Sequence, residues 1–306
     1  MSVNISKPMV SVVVLCYRQE QFLKNALLSV FRQDYPSLEL LVADDGTDTF
    51  SVKDWEDYIR ANAKENVVRF DVHTNNPNLG TVKNLNGALK RASGKYILFF
   101  AADDALATDT ALSGMVSAIE AADGNVFCIS GLASRMDAEL KNSSGYFQNA
   151  YIRSEGTLKP ETAHRKLLYE CCYTMGATLF LREVLLANGG FDENYHVIED
   201  WSFYLSFTKN GGTIHFADRP VLLHRQGGIS ENTDYSPVYK EDLKQIYEKE
   251  IFPYLREEKD RRRRVEIILH YSSIFGRDRR FMKTCFLNCG SVMIYFIKKI
   301  TGGKNG

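Results

Sequence analysis

The sequence predicts an α/β protein with a mostly parallel central sheet, and three observations carry that prediction. Apolar runs rich in β-branched residues recur: "MVSVVVLCY" (9–17), "LELLVADDGT" (38–47), "VVRFDVHT" (67–74) and "YILFFA" (96–101). Between them lie stretches whose apolar residues repeat at helical spacing. The first run is apolar throughout rather than alternating, as a strand covered on both faces requires. Strands alternating with helices indicate parallel pairing through right-handed crossovers.

In "EQFLKNALLSVFRQ" (20–33), Phe22, Leu23, Ala26, Leu27, Val30 and Phe31 follow the helical period, and Pro36 marks the stop. The segment 51–65 reads as an amphipathic helix. "TVKNLNGALKRAS" (81–93) reads as another, with Gly94 as its stop. After Asp109 the order loosens. A helix over 110–122 leads to a strand over 125–134, and the polar stretch 137–160 reads as a long loop or hairpin. Helices are expected over 160–172 and 182–190, the latter closed by glycine, with a strand over 176–182 between them. "EDWSFYLSFTKNGG" (199–212) reads as helix then glycine stop, and "TIHFADRPVLLHR" (213–225) as one or two strands. Beyond about residue 230 the chain becomes charged and helix-prone.

With 306 residues, 44% hydrophobic and 25% charged, the chain is long enough for a sizeable core. Lys+Arg and Asp+Glu both total 38, so no global field recruits nucleic acid. The six cysteines (Cys16, Cys128, Cys171, Cys172, Cys285, Cys289) form no paired CxxC pattern, which argues against structural zinc and for reduced thiols in a cytoplasmic protein. The start lacks the charged region of a signal peptide, and no stretch reaches the roughly 18 apolar residues of a membrane span.

In an open parallel sheet, ligands bind beyond the carboxyl ends of the strands. Two strands end there in acidic pairs, Asp44-Asp45 and Asp103-Asp104. Asp is a common turn former, and "ADDGT" suits a turn. "FFAADDAL" suits one less well, because neighbouring carboxylates repel and no basic residue adjoins them. A divalent cation would remove that repulsion, and Mg²⁺ completes its shell with water and substrate phosphates. On this reading the pair's partner arrives with the ligand. The absence of GxxxxGK[ST] and of GxGxxG after the first strand excludes a P-loop and disfavours a dinucleotide site.

The succession "VSVVVLCYRQEQFLKNALLSVFRQDYPSLELLVADDGTD", "NLGTVKNLNGALKRASGKYILFFAADD", "GATLFLREVLLANGGFDENYHVIEDWSFYLSF" and "LLHRQGGIS" resembles family 2 glycosyltransferases of GT-A fold over about residues 10–230. The resemblance implies inverting transfer of a sugar from a nucleotide donor, a UDP-sugar first, to a glycan or lipid-linked acceptor in bacterial surface polysaccharide synthesis. It implies that Cys16 and Tyr17 edge the nucleotide pocket, that Asp45 reads the base, that Asp103 and Asp104 contact the ribose and hold Mg²⁺ or Mn²⁺, and that Asp200 is the catalytic base. Glu199 is the second choice for that base. Ala101, Arg18 and Gly227 depart from the family pattern at positions usually held by Asp, Asn and His. Arg225 and Ser230 keep theirs, and His224 is the candidate to replace the missing His. Lys83 lies where a cation could meet the diphosphate but reads more readily as a solvated lysine, and Asn86 fits a helix-packing or turn contact at least as well as a substrate contact.

The implied organisation is a catalytic domain over 1–230, with a nucleotide half at 1–105 and an acceptor half at 106–230, and a helical extension over 231–306. Two readings of the extension stand. Its apolar stripe and basic residues suit peripheral contact with the inner face of the cell membrane, or the arm covers the catalytic domain or forms a homodimer. The rival functions are a sugar nucleotidyltransferase and a catalytically idle sugar-nucleotide binder.

Overall fold

A computed structural model describes residues 7–122, 126–148, 150–227, 236–255, 261–277 and 279–288, with 290, 292, 293 and 295. The chain divides into two compact units between Tyr239 and Lys240.

The first unit opens with β1 (Val10–Cys16), α1 (Glu20–Phe31), β2 (Leu38–Asp44), α2 (Val52–Asn62), β3 (Val67–Thr74), α3 (Thr81–Arg91) and β4 (Tyr96–Ala101). β1 pairs in parallel with both β2 and β4, and β2 with β3. The order β3-β2-β1-β4 puts β1 and β2 inside the sheet, and each buries nearly every side chain. That burial explains why their sequences run apolar without alternation. Edge strand β3 is mostly half-buried instead and exposes Val68.

The second half of this unit is mixed: β5 (Ala105–Leu106), α4 (Ala111–Ala121), β6 (Cys128–Met136), β7 (Ser143–Tyr146), α5 (Ala150–Glu155), α6 (Pro160–Leu167), β8 (Thr178–Leu181), α7 (Arg182–Ala187), α8 (Glu199–Lys209) and β9 (Ile214–Arg225). The sheet continues β4-β8-β6-β9-β5, with β8 antiparallel to β4 and β6, and β7 pairing with β6. The stretch expected as a loop or hairpin at 137–160 supplies both the hairpin strand β7 and the short helix α5.

Gly94 does not stop α3, which ends at Arg91 with Ala92 leaving the helix in extended conformation. A Cβ at Gly94 would lie 2.6 Å from the Ser11 hydroxyl and 2.7 Å from the Ser11 nitrogen. The glycine is there for close approach. Its amide donates to Ser11 Oγ at 2.8 Å, and Ser11 Oγ donates to Glu39 Oε2 at 2.6 Å. Ser93 gives Glu39 two further donors, and Arg69 Nε lies 3.2 Å from its Oε1. Burial pushes the Glu39 carboxyl up, but these donors outweigh it and hold the group below its ordinary value.

The second unit contains most of α9 (Pro237–Gln245), a π-helical turn (Ile246–Ile251), α10 (Phe252–Leu255), α11 (Arg261–Phe275) and α12 (Arg279–Leu287). An aromatic cluster of Tyr247, Phe252, Tyr271 and Phe275 holds it together, with ring centroids 4.7–5.2 Å apart along Tyr247–Tyr271, Phe252–Tyr271 and Tyr271–Phe275. Among the described residues, no helix is long and apolar enough to cross a membrane.

Candidate active site

The two acidic pairs end equivalent strands but do different work. Asp44 accepts from the Gly46 and Thr47 amides and from the Thr47 and Thr74 hydroxyls, at 2.7–3.0 Å. This is an Asx-type turn, the plain reading of "ADDGT". Asp45 reaches across to the loop after β3. Its Oδ1 accepts from Asn75 Nδ2 and the Leu79 amide, and its Oδ2 from the Gly80 amide at 2.8 Å. A carboxylate offers about four acceptor sites, so roughly one remains on Asp45 for a ligand.

Cys16 is buried, and burial followed by the Asp44 charge pushes its thiol up to about 12. Its carbonyl accepts the Asp45 amide at 2.8 Å, so it shapes this edge through backbone. Tyr17 is 39% exposed, with the Arg18 guanidinium 5.0 Å from its ring centroid. Arg18 takes a positive φ of 55°, and its amide donates to Thr47 Oγ1 at 2.7 Å, tying the loops after β1 and β2 together.

At the second pair the topology supplies a partner. β5 runs antiparallel to β9 with Ala105 opposite Leu223, so one step outward brings Asp104 to His224. His224 Nδ1 lies 3.1 Å from Asp104 Oδ2, and the Arg225 amide donates to Asp104 Oδ1 at 3.0 Å. The expectation that both carboxylates wait for an external partner is therefore corrected for Asp104. The Asp103 carboxylate receives no donor from another residue among the described ones. Burial, then the neighbouring Asp104 charge, pushes Asp103 up to about 6.

Arg225 stands beside the pair without ion-pairing to either carboxylate. Its Nε donates to the Asp103 carbonyl at 2.8 Å, Nη1 donates to the Ala138 carbonyl, and the guanidinium lies 4.4 Å from the Phe22 ring centroid. Phe147 packs edge-on against His224 at 4.7 Å. Among the described residues no Lys or Arg ion-pairs with either carboxylate, although the charges of His224 and Arg225 act on Asp103. Gly227, where the family pattern has His, has φ +101°, a left-handed conformation that favours glycine. Ser230 lies outside the described residues.

Asp200 occupies the first turn of α8, where the helix dipole favours a carboxylate. The Trp201 amide donates to its Oδ1 at 2.6 Å, and the Cys171 thiol also contacts it. Desolvation by surrounding protein pushes Asp200 up to about 6, against the lowering effects of these contacts and of His224. That His224 acts on both Asp104 and Asp200 puts the two carboxylates in one electrostatic neighbourhood. Trp201 is a packing residue, with Nε1 donating to the Leu167 carbonyl at 2.7 Å. Glu199 precedes Asp200 and is partly buried.

Asn86 is a clasp. It donates to the Phe191 carbonyl and accepts the Phe191 amide, at 2.8 and 2.9 Å, and a Cβ on Gly190 would sit 2.5 Å from its Oδ1. The Val82 amide meets the His196 carbonyl at 3.3 Å, so α3 steers the segment leading to Asp200. Lys83 is exposed. Cys171, Asn75 and the loop amides of 79–80 were absent from the sequence-based candidates. Asn-rich "TNNPNLG" was the signal for the loop, and nothing local marked Cys171.

Among the described residues, no group of three or more His, Cys, Asp or Glu is arranged to hold a metal. Asp103 and Asp104 nonetheless fit a shared ion. Mg²⁺ takes one or two protein carboxylates and completes its shell from phosphate and water, and Asp103 has unused oxygens beside a fixed Asp104.

The strand order and helical layers are those of the GT-A glycosyltransferases. A crystal structure of S. aureus TarS 1–349 with UDP matches with TM-score 0.57 at 17% identity, covering 87% of this chain and 80% of that one. The mannosyltransferase PcManGT from Pyrobaculum calidifontis, in complex with GDP-Man and Mn²⁺, matches with TM-score 0.51 at 16% identity, covering 98% and 76%. The chain belongs to glycosyl transferase family 2, whose model matches residues 11–187, more than half its length. An uncharacterized glycosyltransferase of Bacillus subtilis, EpsJ, is 28% identical over 81% of this chain and 70% of its own. The GalNAc(5)-diNAcBac-PP-undecaprenol beta-1,3-glucosyltransferase of Campylobacter jejuni is 26% identical over 73% and 67%.

Proposed function

We propose that this glycosyltransferase inverts the anomeric centre as it moves a sugar from a nucleoside diphosphate, UDP first, to an acceptor hydroxyl. The observation that carries the reading is the division of labour between neighbouring carboxylates. Asp104 is fixed by His224 and the Arg225 amide, Asp103 is buried beside it with no donor from another described residue, and Asp200 sits in the field of the same His224.

Asp103 and Asp104 would hold a divalent ion, Mg²⁺ or Mn²⁺, which would supply positive charge toward the leaving diphosphate. Asp200 takes the proton of the attacking hydroxyl as general base, a role worth roughly 10²–10⁴-fold. Its carboxyl near 6 makes it more basic than an ordinary aspartate while leaving it largely ionised at neutral pH. Tyr17 and the remaining acceptor site on Asp45 border the nucleotide. Residues 1–105 carry the donor side and 106–230 the acceptor side. The relative acting on an undecaprenol-linked glycan supports a lipid-linked or glycan acceptor in bacterial polysaccharide synthesis at the cytoplasmic face of the membrane.

The test is donor hydrolysis by wild type and Asp200→Asn with Mg²⁺ or Mn²⁺. Slow metal-dependent release of nucleoside diphosphate that the variant largely loses, while still binding donor, supports the reading. Equal release by both proteins removes Asp200 as base.

A further inference from the structure

We propose that the outward face of α12 docks on an anionic lipid bilayer. The inference stands on the second unit alone and does not depend on the donor or base assigned above.

A soluble helix buries its large apolar side chains and exposes polar ones of both signs. α12, "RRFMKTCFL", does the opposite. Met282 is 64% exposed, Phe286 83% and Leu287 52%, while Thr284 is buried. Arg279, Arg280 and Lys283 are exposed as well. At about 100° per residue these six residues cover one continuous face, on which apolar side chains and cations interleave. No carboxylate occurs within α12. Met293, beyond the helix, is another exposed apolar residue at 63%.

This combination selects the occupant. An apolar face against a protein core would not carry three cations, and a solvated basic face would not expose Met, Phe and Leu. A helix lying in the headgroup region of a bilayer needs both: apolar side chains entering the acyl boundary, and Lys/Arg against phosphate. Arg280 is held over the Phe252 ring at 4.1 Å, so the helix is anchored to the aromatic cluster by its cationic edge. A groove of about 530 Å³ adjoins the face, lined by Arg264 and Lys283 with Val265, Ile268 and Leu287. Cations beside an apolar lining suit a lipid phosphate and the start of its chains. The charge balance agrees, since residues 261–288 hold eight Lys/Arg against Glu266 and Asp278.

The test is flotation of the full chain with vesicles of phosphatidylcholine alone or containing phosphatidylglycerol. The wild type should float with the anionic vesicles, and added salt should weaken it. Each cation near the surface contributes about fivefold to partitioning, so Arg279→Gln with Lys283→Gln should lower it about 25-fold. Met282→Ser with Phe286→Ser should abolish flotation even at low salt. These side chains are exposed, and unchanged thermal unfolding of the variants would keep the comparison valid. No flotation, equal flotation with neutral vesicles, or flotation indifferent to both pairs of substitutions would overturn the proposal. So would a homodimer in sedimentation that Met282→Ser with Phe286→Ser dissociates, because a second copy would then be the occupant.

Discussion

His224 and Asp104, 120 residues apart in the chain, meet at 3.1 Å because the short strand β5 pairs antiparallel with the end of β9. The contact makes Asp104 a fixed carboxylate beside one with no donor from another described residue, and in the proposed site it would orient donor oxygens toward a shared ion. Groups that orient metal ligands are commonly worth 10–100-fold in metal affinity or activity. His224→Ala should therefore raise the Mn²⁺ concentration needed for donor hydrolysis by about that factor, with smaller loss at saturating metal. A metal titration of the two proteins checks this; overlapping curves would reduce His224 to packing against Phe147.

Arg225 is predicted to matter for shape rather than charge. Its guanidinium satisfies two carbonyls and covers Phe22 rather than ion-pairing directly with either carboxylate. Arg225→Lys keeps the charge but loses the fork, and should cost about 1–3 kcal/mol in urea unfolding. A stability equal to wild type would show that the fork is dispensable.

The pH dependence follows from carboxyls raised to about 6. Asp200 must be ionised to accept a proton, so activity should rise with pH through about 6 and level above it. Asp103 sits near the same value, but saturating Mn²⁺ holds it ionised, so the limb that survives high metal belongs to Asp200. The same shift has a stability consequence. A carboxyl raised on folding stabilises fully below its unfolded value near 3.8, and that contribution is lost as pH rises through about 6. The melting temperature of wild type minus that of Asp200→Asn should fall between pH 4 and 8; a flat difference would mean that the shift is absent.

Glu39 behaves with the opposite sign. Its carboxyl is held below the ordinary value of 4.5, so its contribution is present above that pH and lost on acidification. Glu39→Gln should cost about 1–3 kcal/mol at neutral pH and progressively less in acid, read from urea unfolding. An undiminished cost in acid would assign it to packing. At the neighbouring turn, Gly94→Ala should destabilise, and trimming Ser11 to glycine in the same chain should not rescue it, because the Ser11 nitrogen at 2.7 Å and the Met9 carbonyl at 2.8 Å remain in the way.

The parallel half of the fold was legible because buried parallel strands write their burial into the sequence as apolar runs, interrupted here inside β1 only at Ser11 and inside β2 only at Glu39 before Asp44 ends it. The antiparallel half was less so. β5 has two residues and no periodicity to read, and its partner β9 lies far along the chain, so the answer to the Asp103-Asp104 charge pair could not be found next to it. The resemblance gave roles to Asp45, Asp103 and Asp104, and hydrogen bonding distinguishes the four carboxylates: Asp44 closes a turn, Asp45 gathers a loop, Asp104 is clamped, and Asp103 receives no donor from another described residue. Gly94 looked like a helix stop because close packing and helix termination select the same residue. Asn86, left between two readings, holds the approach to Asp200 through backbone partners at Phe191 that no local pattern predicts.

The central claim is that Asp103 and Asp104 bind diphosphate through a divalent ion. Calorimetric titration of wild type and Asp103→Asn with UDP, GDP and dTDP, each with Mn²⁺ or with EDTA, tests it most directly. One of these nucleotides should bind wild type with Mn²⁺, and either EDTA or Asp103→Asn should weaken it at least tenfold, about 1.4 kcal/mol. Nucleotide binding that is equally tight in EDTA and in the variant would contradict it.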